Sequence, residues 1–167
     1  IVSYNDGIKD GKYQQYWDNG KIKVKTCYQN DALEGLTEGF FADGSKAFSR
    51  FFEGGKAIGE HVEYFHKDMT SNNYEKVIFR CYSYNSSGQF HGELQTYYSN
   101  GQLQVSMQYK NALLDGHKKS YTQDGQVVES ATYVAGKLQG NYRNLQSEGR
   151  EVLANYKDGR KEGPFEI

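Results

Sequence analysis

The sequence predicts an all-β fold, an elongated antiparallel meander of about six to seven 24-residue β-hairpin repeats in an open, solenoid-like array. Three observations predict it: the composition, interlocked residue series with a common period, and period-two alternation of apolar and polar residues. The 167 residues include 15 Tyr, 9 Phe and 19 Gly but a single Pro. Such a composition is typical of many short strands joined by tight turns.

The period appears in four series of residues that keep a fixed offset from one another. The first glycine series is Gly11, Gly35, Gly59, Gly92, Gly116, Gly140 and Gly163. The second is Gly20, Gly44, Gly101, Gly125 and Gly149, with Asp68 in the place of one glycine. Five residues after each of the first six first-series glycines come Tyr16, Phe40, Tyr64, Tyr97, Tyr121 and Leu145. The last series is Tyr4, Tyr28, Phe52, Tyr84, Tyr109, Tyr133 and Tyr156.

These series divide residues 1–167 into a single repeat array without a domain boundary. We place the units near 4–27, 28–51, 52–83, 84–108, 109–132 and 133–155, with a partial unit at 156–167. Each unit supplies a hairpin, so the chain is expected to form about thirteen strands.

The second-series glycines Gly20, Gly44, Gly101, Gly125 and Gly149 are predicted to be structural turn residues. All but Gly149 follow Asn or Asp, which is the pair favoured in a two-residue hairpin turn. After such a turn, Ile22, Val24, Thr26 and Tyr28 are expected on one face of a strand, with Lys21, Lys23, Lys25 and Cys27 on the other. The first-series glycines are expected to mark bulges, or to leave room for an aromatic ring over bare backbone.

The stretches YNDGIKDGKYQQYWDNG (4–20), YKNALLDGHKKSYTQDG (109–125) and YVAGKLQGNYRNLQSEG (133–149) resemble the bacterial variant of the MORN repeat. That variant is found in YwqK-type antitoxin proteins, and the resemblance covers essentially the whole chain. It implies an array of β-hairpins that binds other proteins, often as an antitoxin or immunity component. It carries no catalytic residues over to this chain.

The repeat is irregular in the third unit, where an insertion near 69–76 follows Asp68. We expect a longer loop at 69–74 and then an extended strand at 75–84. An irregular unit in a regular array is a common place for a specific function, whereas a drifted repeat with a loose loop is the equal alternative. Aromatic residues around this irregular unit and in the shared register are therefore the predicted partner-binding residues: Tyr74, Phe79, Tyr82, Tyr84, Phe90, Tyr64, Tyr97 and Tyr121.

The sequence lacks the residue patterns of an enzyme, and we expect neither a catalytic site nor a metal or other cofactor. His61, His66, His91 and His117 have no common metal-ligand spacing, so they are expected to be surface residues on a polar face. Cys27 and Cys81 are expected to be buried or half-buried thiols rather than a disulfide. Lys21, Lys23 and Lys25 are expected to form the solvated face of a strand.

The net charge of −1 provides no excess of positive charge for nucleic acid or for strong membrane binding. The expected function is therefore protein–protein interaction, with a toxin or effector encoded nearby as the partner. A structural or membrane-peripheral scaffold is the alternative, and a hydrolase ranks last. The chain begins without Met, so a removed signal peptide or lipid anchor leaves bacterial cytoplasm and periplasm both open, and the oligomeric state stays open as well.

Overall fold

The structure is a computed structural model that describes residues 1–69, 77–146 and 149–166, the last three of these by backbone alone. The all-β hairpin array predicted from the sequence is confirmed, and the described residues form fourteen strands. The strands are β1 (Val2–Asn5), β2 (Ile8–Tyr16), β3 (Ile22–Gln29), β4 (Ala32–Phe40), β5 (Lys46–Glu53), β6 (Lys56–Tyr64), β7 (Ile78–Tyr84), β8 (Gly92–Tyr97), β9 (Leu103–Lys110), β10 (Leu113–Tyr121), β11 (Val127–Val134), β12 (Lys137–Leu145), β13 (Glu151–Lys157) and β14 (Arg160–Glu166).

The strands build a single open sheet in which each strand pairs antiparallel with its neighbours in sequence order, from β1 to β14. After β6, a 3-10 turn spans Lys67–Met69, at the start of the predicted insertion. The loop expected at 69–74 and the first residues of the strand expected at 75–84 lie largely outside the described residues. Within those residues, β7 begins at Ile78.

The two-residue turns occur at the opposite end of the units from the one predicted. Both loop residues have positive φ, which defines the mirror-image turn that suits twisted strands. These loops are Asp6–Gly7, Asn30–Asp31, Gly54–Gly55, Asn111–Ala112, Ala135–Gly136 and Asp158–Gly159.

The Asn-Gly and Asp-Gly turns have longer loops, so the prediction of two-residue turns there is wrong. The amide of Gly20 donates to the carbonyl of Trp17 (2.9 Å), and the amide of Trp17 donates to the carbonyl of Lys21 (2.8 Å). Gly20 has a φ of +80°, whereas Asn19 does not have positive φ. This is an ordinary turn followed by one left-handed glycine. The Asn19 amide instead donates to the carbonyl of Ala42 in the next unit (2.6 Å), and Asn100 repeats that contact with Gln123 (3.3 Å).

Replacing Ala135 with Asn should raise the free energy of unfolding by about 1 kcal/mol. Ala135 is exposed and has a φ of +48°, a region in which Asn is far better tolerated than Ala. Urea denaturation checks this expectation. Ala135→Val is the control and should destabilise the protein, because a β-branched side chain is strained at positive φ. Shifts of both variants in the same direction would contradict the assignment of this turn.

The first-series glycines lie at irregularities of the ladder, as expected for residues that mark bulges. Residue pairing jumps beside Gly35, for example, where Lys25 pairs with Glu38 but Cys27 pairs with Glu34. All seven of these glycines have positive φ. Each of the first six directly opposes an aromatic residue of the next strand, as Gly11 opposes Tyr28 and Gly35 opposes Phe52. At Gly39, a ring occupies the place that a β-carbon would take, namely the ring of Phe48.

A second irregularity, next to the longer turns, changes which side chains share a face. Gln15 pairs with Val24 but Tyr16 pairs with Ile22, so Lys23 is an extra residue in β3. Ile22 consequently lies on the face of Lys25 and Cys27, and the Lys23 ammonium lies over the Trp17 ring at 4.5 Å. The predicted single stripe of Lys21, Lys23 and Lys25 is therefore wrong.

The sheet has little interior, because it is one layer thick. Among the described residues the buried hydrophobic side chains are Tyr82, Ala131 and Ala154. Contacts between rings of successive units replace a deep core. Edge-on pairs recur at the same register: Tyr13 with Tyr28 (5.7 Å between ring centroids), His61 with Tyr84 (4.9 Å) and Tyr142 with Tyr156 (5.9 Å). Each such pair contributes about 0.5–1.5 kcal/mol beyond its burial.

Candidate functional site

Cross-strand pairing sorts the side chains onto two faces, because directly opposed residues share a face. We define the polar face by one row of paired residues: Gln14, Lys25, Glu38, Ser49, Val62, Cys81, Gln95, Ser106, Lys119, Ser130 and Arg143. We define the aromatic face by the adjacent row: Gln15, Val24, Gly39, Phe48, Glu63, Arg80, Thr96, Val105, Ser120, Glu129 and Asn144.

A cluster of rings occupies the middle of the aromatic face and centres on His61. The His61 side chain is 2% exposed and lies 5.7 Å from the Phe52 ring, 5.5 Å from the Tyr82 ring and 4.9 Å from the Tyr84 ring. Tyr84 stacks on Phe90 at 4.7 Å. His61 is thus a member of the aromatic cluster, and its prediction as a surface residue is wrong.

A carboxylate with three donors adjoins this cluster. The carboxylate of Glu63 accepts hydrogen bonds from Arg50 Nη2 (2.9 Å), from Arg80 Nε (2.8 Å) and Nη2 (3.0 Å), and from the Tyr82 hydroxyl (3.0 Å). Burial raises the pKa of Glu63, but the hydrogen bonds from Arg80, Arg50 and Tyr82 outweigh burial and leave the pKa below its usual value. Burial, and then the bond to Glu63, raises the pKa of Tyr82, so its hydroxyl remains a donor.

The two arginines lie over rings as well as beside Glu63. The Arg50 guanidinium is 4.3 Å from the centre of the Phe48 ring, and that of Arg80 is 5.3 Å from Tyr82 and 5.7 Å from Phe79. Their side chains remain 35% and 44% exposed. Arg50 Nε is buried and makes no hydrogen bond to any described residue. The site therefore presents two oriented cations framed by aromatic rings.

The predicted partner-binding residues are divided between the two faces. Tyr82, Tyr84 and Phe90 lie in the aromatic cluster, and Phe79, 39% exposed, contacts Phe65 and Arg80 beside it. Tyr64, Tyr97 and Tyr121 lie on the polar face, where the Tyr97 hydroxyl donates to Gln95 (2.5 Å). Tyr64 and Tyr121 share the register of Tyr97. Tyr74 lies outside the described residues.

Arg50, Glu63 and Arg80 are not among the partner-binding residues predicted from the sequence. A signal was available in the repeat, because the register position of Glu63 holds Gln15, Gly39, Thr96, Ser120 and Asn144 in the other units. Glu63 is the one carboxylate at this position, and it faces Arg80 directly across the ladder. A charged residue that departs from the repeat and pairs with an opposite charge indicates a specialised position.

A second polar cluster lies on the polar face around Ser106, which is 3% exposed. Its hydroxyl donates to the Glu93 carboxylate (2.6 Å) and lies 2.8 Å from His117 Nε2. With the serine proton directed at Glu93, His117 Nε2 is left to donate to the serine oxygen. In a catalytic triad the serine instead donates to the histidine.

Metal-binding and redox chemistry have few candidate residues in the part of the chain that the structure describes. No group of three or more His, Cys, Asp or Glu side chains there is arranged to hold a metal ion. Cys27 is exposed, contrary to the expectation that it is at least half-buried, and Cys81 is half-buried; both are free thiols. Burial raises the pKa of the Cys81 thiol.

Comparison with known proteins supports the repeat assignment at the level of the motif. The model of the MORN repeat variant matches residues 9–30, 90–111 and 114–135, ranges that begin in the first, fourth and fifth units. None of the curated proteins matches the chain. MORN repeats suggest a repeat protein that mediates protein or membrane interaction. In the described residues, no helix combines the length and the apolar character that a membrane crossing requires.

Proposed function

We propose that this protein is a non-enzymatic interaction array that docks a protein partner on the centre of its aromatic face. The observation that carries the proposal is the group formed by Arg50, Glu63 and Arg80 among exposed and half-buried rings. Tyr, Trp and Arg dominate the energetics of protein interfaces, especially where water is excluded around them. Glu63 and Arg80 also belong to the irregular third unit, where the array departs from simple repetition.

The aromatic face is a better docking surface than the polar face. Along the polar face, the row from Lys25 to Arg143 is mainly Ser, Gln, Lys and Glu, and its charges pair locally, as Lys25 does with Glu38 (2.7 Å). Charges that are already paired within the protein contribute little to binding, whereas the exposed Phe79 ring loses contact with water when a partner covers it.

The most specific form of the proposal is an antitoxin or immunity protein that sterically blocks a bacterial toxin or effector encoded nearby. The resemblance of the repeats to YwqK-type antitoxin proteins motivates it. A long repeat surface contacts its target at many points, so it is well suited to covering an active site.

A structural or membrane-peripheral scaffold is the second candidate, and one observation favours it. Four basic residues, Lys137, Lys157, Arg160 and Lys161, line a groove near one end of the array together with Asp158 and Glu162, so positive charge is in excess there. Basic side chains in such a groove would attract an anionic lipid surface. Flotation of the protein with vesicles rich in phosphatidylserine, but no binding of the neighbouring gene product, would favour this candidate.

Matched variants on the two faces test the proposal by co-expression with the product of the neighbouring gene. Phe79→Ala should weaken the complex by roughly tenfold or more and abolish rescue from toxicity, because an anchoring ring is lost from the docking surface. Tyr121→Ala on the polar face is the control and should leave both unchanged. Thermal melting of each variant checks that it is folded.

Two outcomes would overturn the proposal. Failure of the wild-type protein to bind the neighbouring product or to rescue growth rejects the antitoxin role. Loss of binding in Tyr121→Ala with full binding in Phe79→Ala rejects the aromatic face and assigns docking to the polar face.

A further inference from the structure

We propose that Arg50 and Arg80 form a carboxylate-binding site that takes an acidic segment of the protein partner, and that Glu63 occupies this site in the free protein. This inference rests on the proposed function and specifies the chemistry of the partner. The Glu63 carboxylate acts as an internal stand-in for the partner's carboxylate.

The geometry of the donors supports this role. Three of the four hydrogen bonds to Glu63 come from guanidinium groups that project from β5 and β7 on either side of it. Arg80 binds through two nitrogens, which is the fork geometry that selects carboxylates. An incoming carboxylate would meet donors that are already oriented.

The two arginines retain capacity for a second acceptor. Each guanidinium has five N–H donors, and Glu63 engages a single nitrogen of Arg50 and two of Arg80. Arg50 Nε, buried against the Phe48 ring, lacks an acceptor among the described residues. A buried N–H without an acceptor costs about 1–3 kcal/mol, so a movement of Arg50 that satisfies Nε would favour binding.

The local charge at the site is positive and complements an acidic ligand, although the net charge of the whole protein is slightly negative. The chain has a net charge of −1, which provides no general attraction for anions. At the site, however, two guanidinium groups face one carboxylate, an excess of one positive charge. The rings of Phe79, Phe48 and Tyr82 frame that charge, so a segment that alternates acidic and aromatic residues fits the surface best.

The random copolymer poly(Glu,Tyr) is a suitable probe, with poly(Lys,Tyr) as the charge-reversed control. Biolayer interferometry with immobilised wild-type protein should detect binding of poly(Glu,Tyr) that weakens with added salt, and no binding of poly(Lys,Tyr). Arg80→Gln should weaken the binding on the order of tenfold.

Glu63→Gln provides the most informative variant, because it should tighten binding on the order of tenfold. Removing the internal carboxylate frees both guanidinium groups for the probe, whereas a purely structural Glu63 would give weaker binding or no change. Glu129→Gln is the matched control. Glu129 lies in the same row of the aromatic face and accepts from Lys118 (2.7 Å) and Ser120 (3.1 Å), away from the ring cluster. Its substitution should leave probe binding unchanged.

The possible outcomes separate this inference from the proposed function. Unchanged or weaker probe binding by Glu63→Gln, or equal binding of the two copolymers, overturns the carboxylate-binding site. If Phe79→Ala still disrupts the complex with the protein partner in that case, the proposed docking surface remains. If neither measurement responds, both fail.

Discussion

Replacing Gly39 with Ala is expected to lower the free energy of unfolding by about 2–3 kcal/mol. Gly39 is buried in β4 and directly opposes Phe48 in β5. A β-carbon at residue 39 would lie 2.1, 2.4 and 2.6 Å from three ring carbons of Phe48. The backbone of Gly39 does not have positive φ, so conformational strain contributes nothing and the ring is the sole obstacle.

The expected cost arises because moving the Phe48 ring disturbs the residues that contact it. The Arg50 guanidinium lies over that ring, and Arg50 in turn binds Glu63. Displacing the ring therefore disturbs the candidate site as well as the ladder. We expect Gly39→Ala to weaken partner binding together with stability, whereas substitution of a turn glycine is not expected to affect binding.

A double-mutant cycle with Phe48→Ala tests this explanation by urea denaturation. Without the ring, Gly39→Ala should become neutral or stabilise by about 0.5 kcal/mol, because Ala restricts the unfolded chain more than Gly does. An equal cost of Gly39→Ala in both backgrounds would show that the ring is not responsible.

The fold could be predicted from the sequence because the repeat determines it redundantly. Most units repeat the same turn glycine, bulge glycine and aromatic residue, so a substitution such as Asp68 in one unit does not hide the period. The turn types could not be predicted in the same way. Asn19–Gly20 fits both a two-residue turn and the longer loop, and only the pairing of Trp17 with Lys21 across the turn decides between them.

The aromatic residues of the candidate site could be predicted from the sequence, whereas its charged residues could not, for a physical reason. Tyr82, Tyr84 and Phe90 were identified because aromatic residues near an irregular unit stand out. Arg50 and Arg80 were missed because charged residues in a polar chain resemble ordinary solvated surface.

The predicted assignment of strand side chains to the two sheet faces is wrong for a different reason. The alternation of apolar and polar residues was assumed to continue through a bulge, where it is interrupted. The extra residue at Lys23 interrupts period two, and Leu103 and Gln104 show the same effect in β9. Leu103 pairs with Tyr97 of the polar face, whereas Gln104 accepts a hydrogen bond from Thr96 of the aromatic face (3.2 Å). Bulges of this kind are a property of the paired ladder, so a single strand sequence does not reveal them.

Lowering the pH from about 7.5 to about 5 should destabilise the wild-type protein, and His61→Phe should remove most of that loss. Burial lowers the pKa of His61 below its usual 6.5, although its hydrogen bond to the carbonyl of Phe51 (3.0 Å) opposes the shift. The charges that face His61 act in opposite senses, since Arg50 lowers its pKa and Glu63 raises it.

The sign follows from the number of protons that each state binds. Because the pKa of His61 is lower in the folded protein, the unfolded chain binds more protons as the pH falls. The contribution of His61 to stability is therefore complete above pH 6.5 and is lost as the pH falls towards the pKa of the folded state. The lowered pKa values of Glu63 and Glu38 act in a separate window, because those carboxylates ordinarily titrate near 4.5.

The measurement is urea denaturation across this pH range, with His117→Gln on the polar face as the control that should keep the wild-type dependence. A charged imidazolium among Phe52, Tyr82 and Tyr84 would open the ring cluster and move the Tyr82 hydroxyl away from Glu63. Partner binding should consequently weaken over the same pH range in the wild-type protein but not in His61→Phe. An equal pH dependence of stability in wild type and His61→Phe would place the responsible proton elsewhere in the molecule.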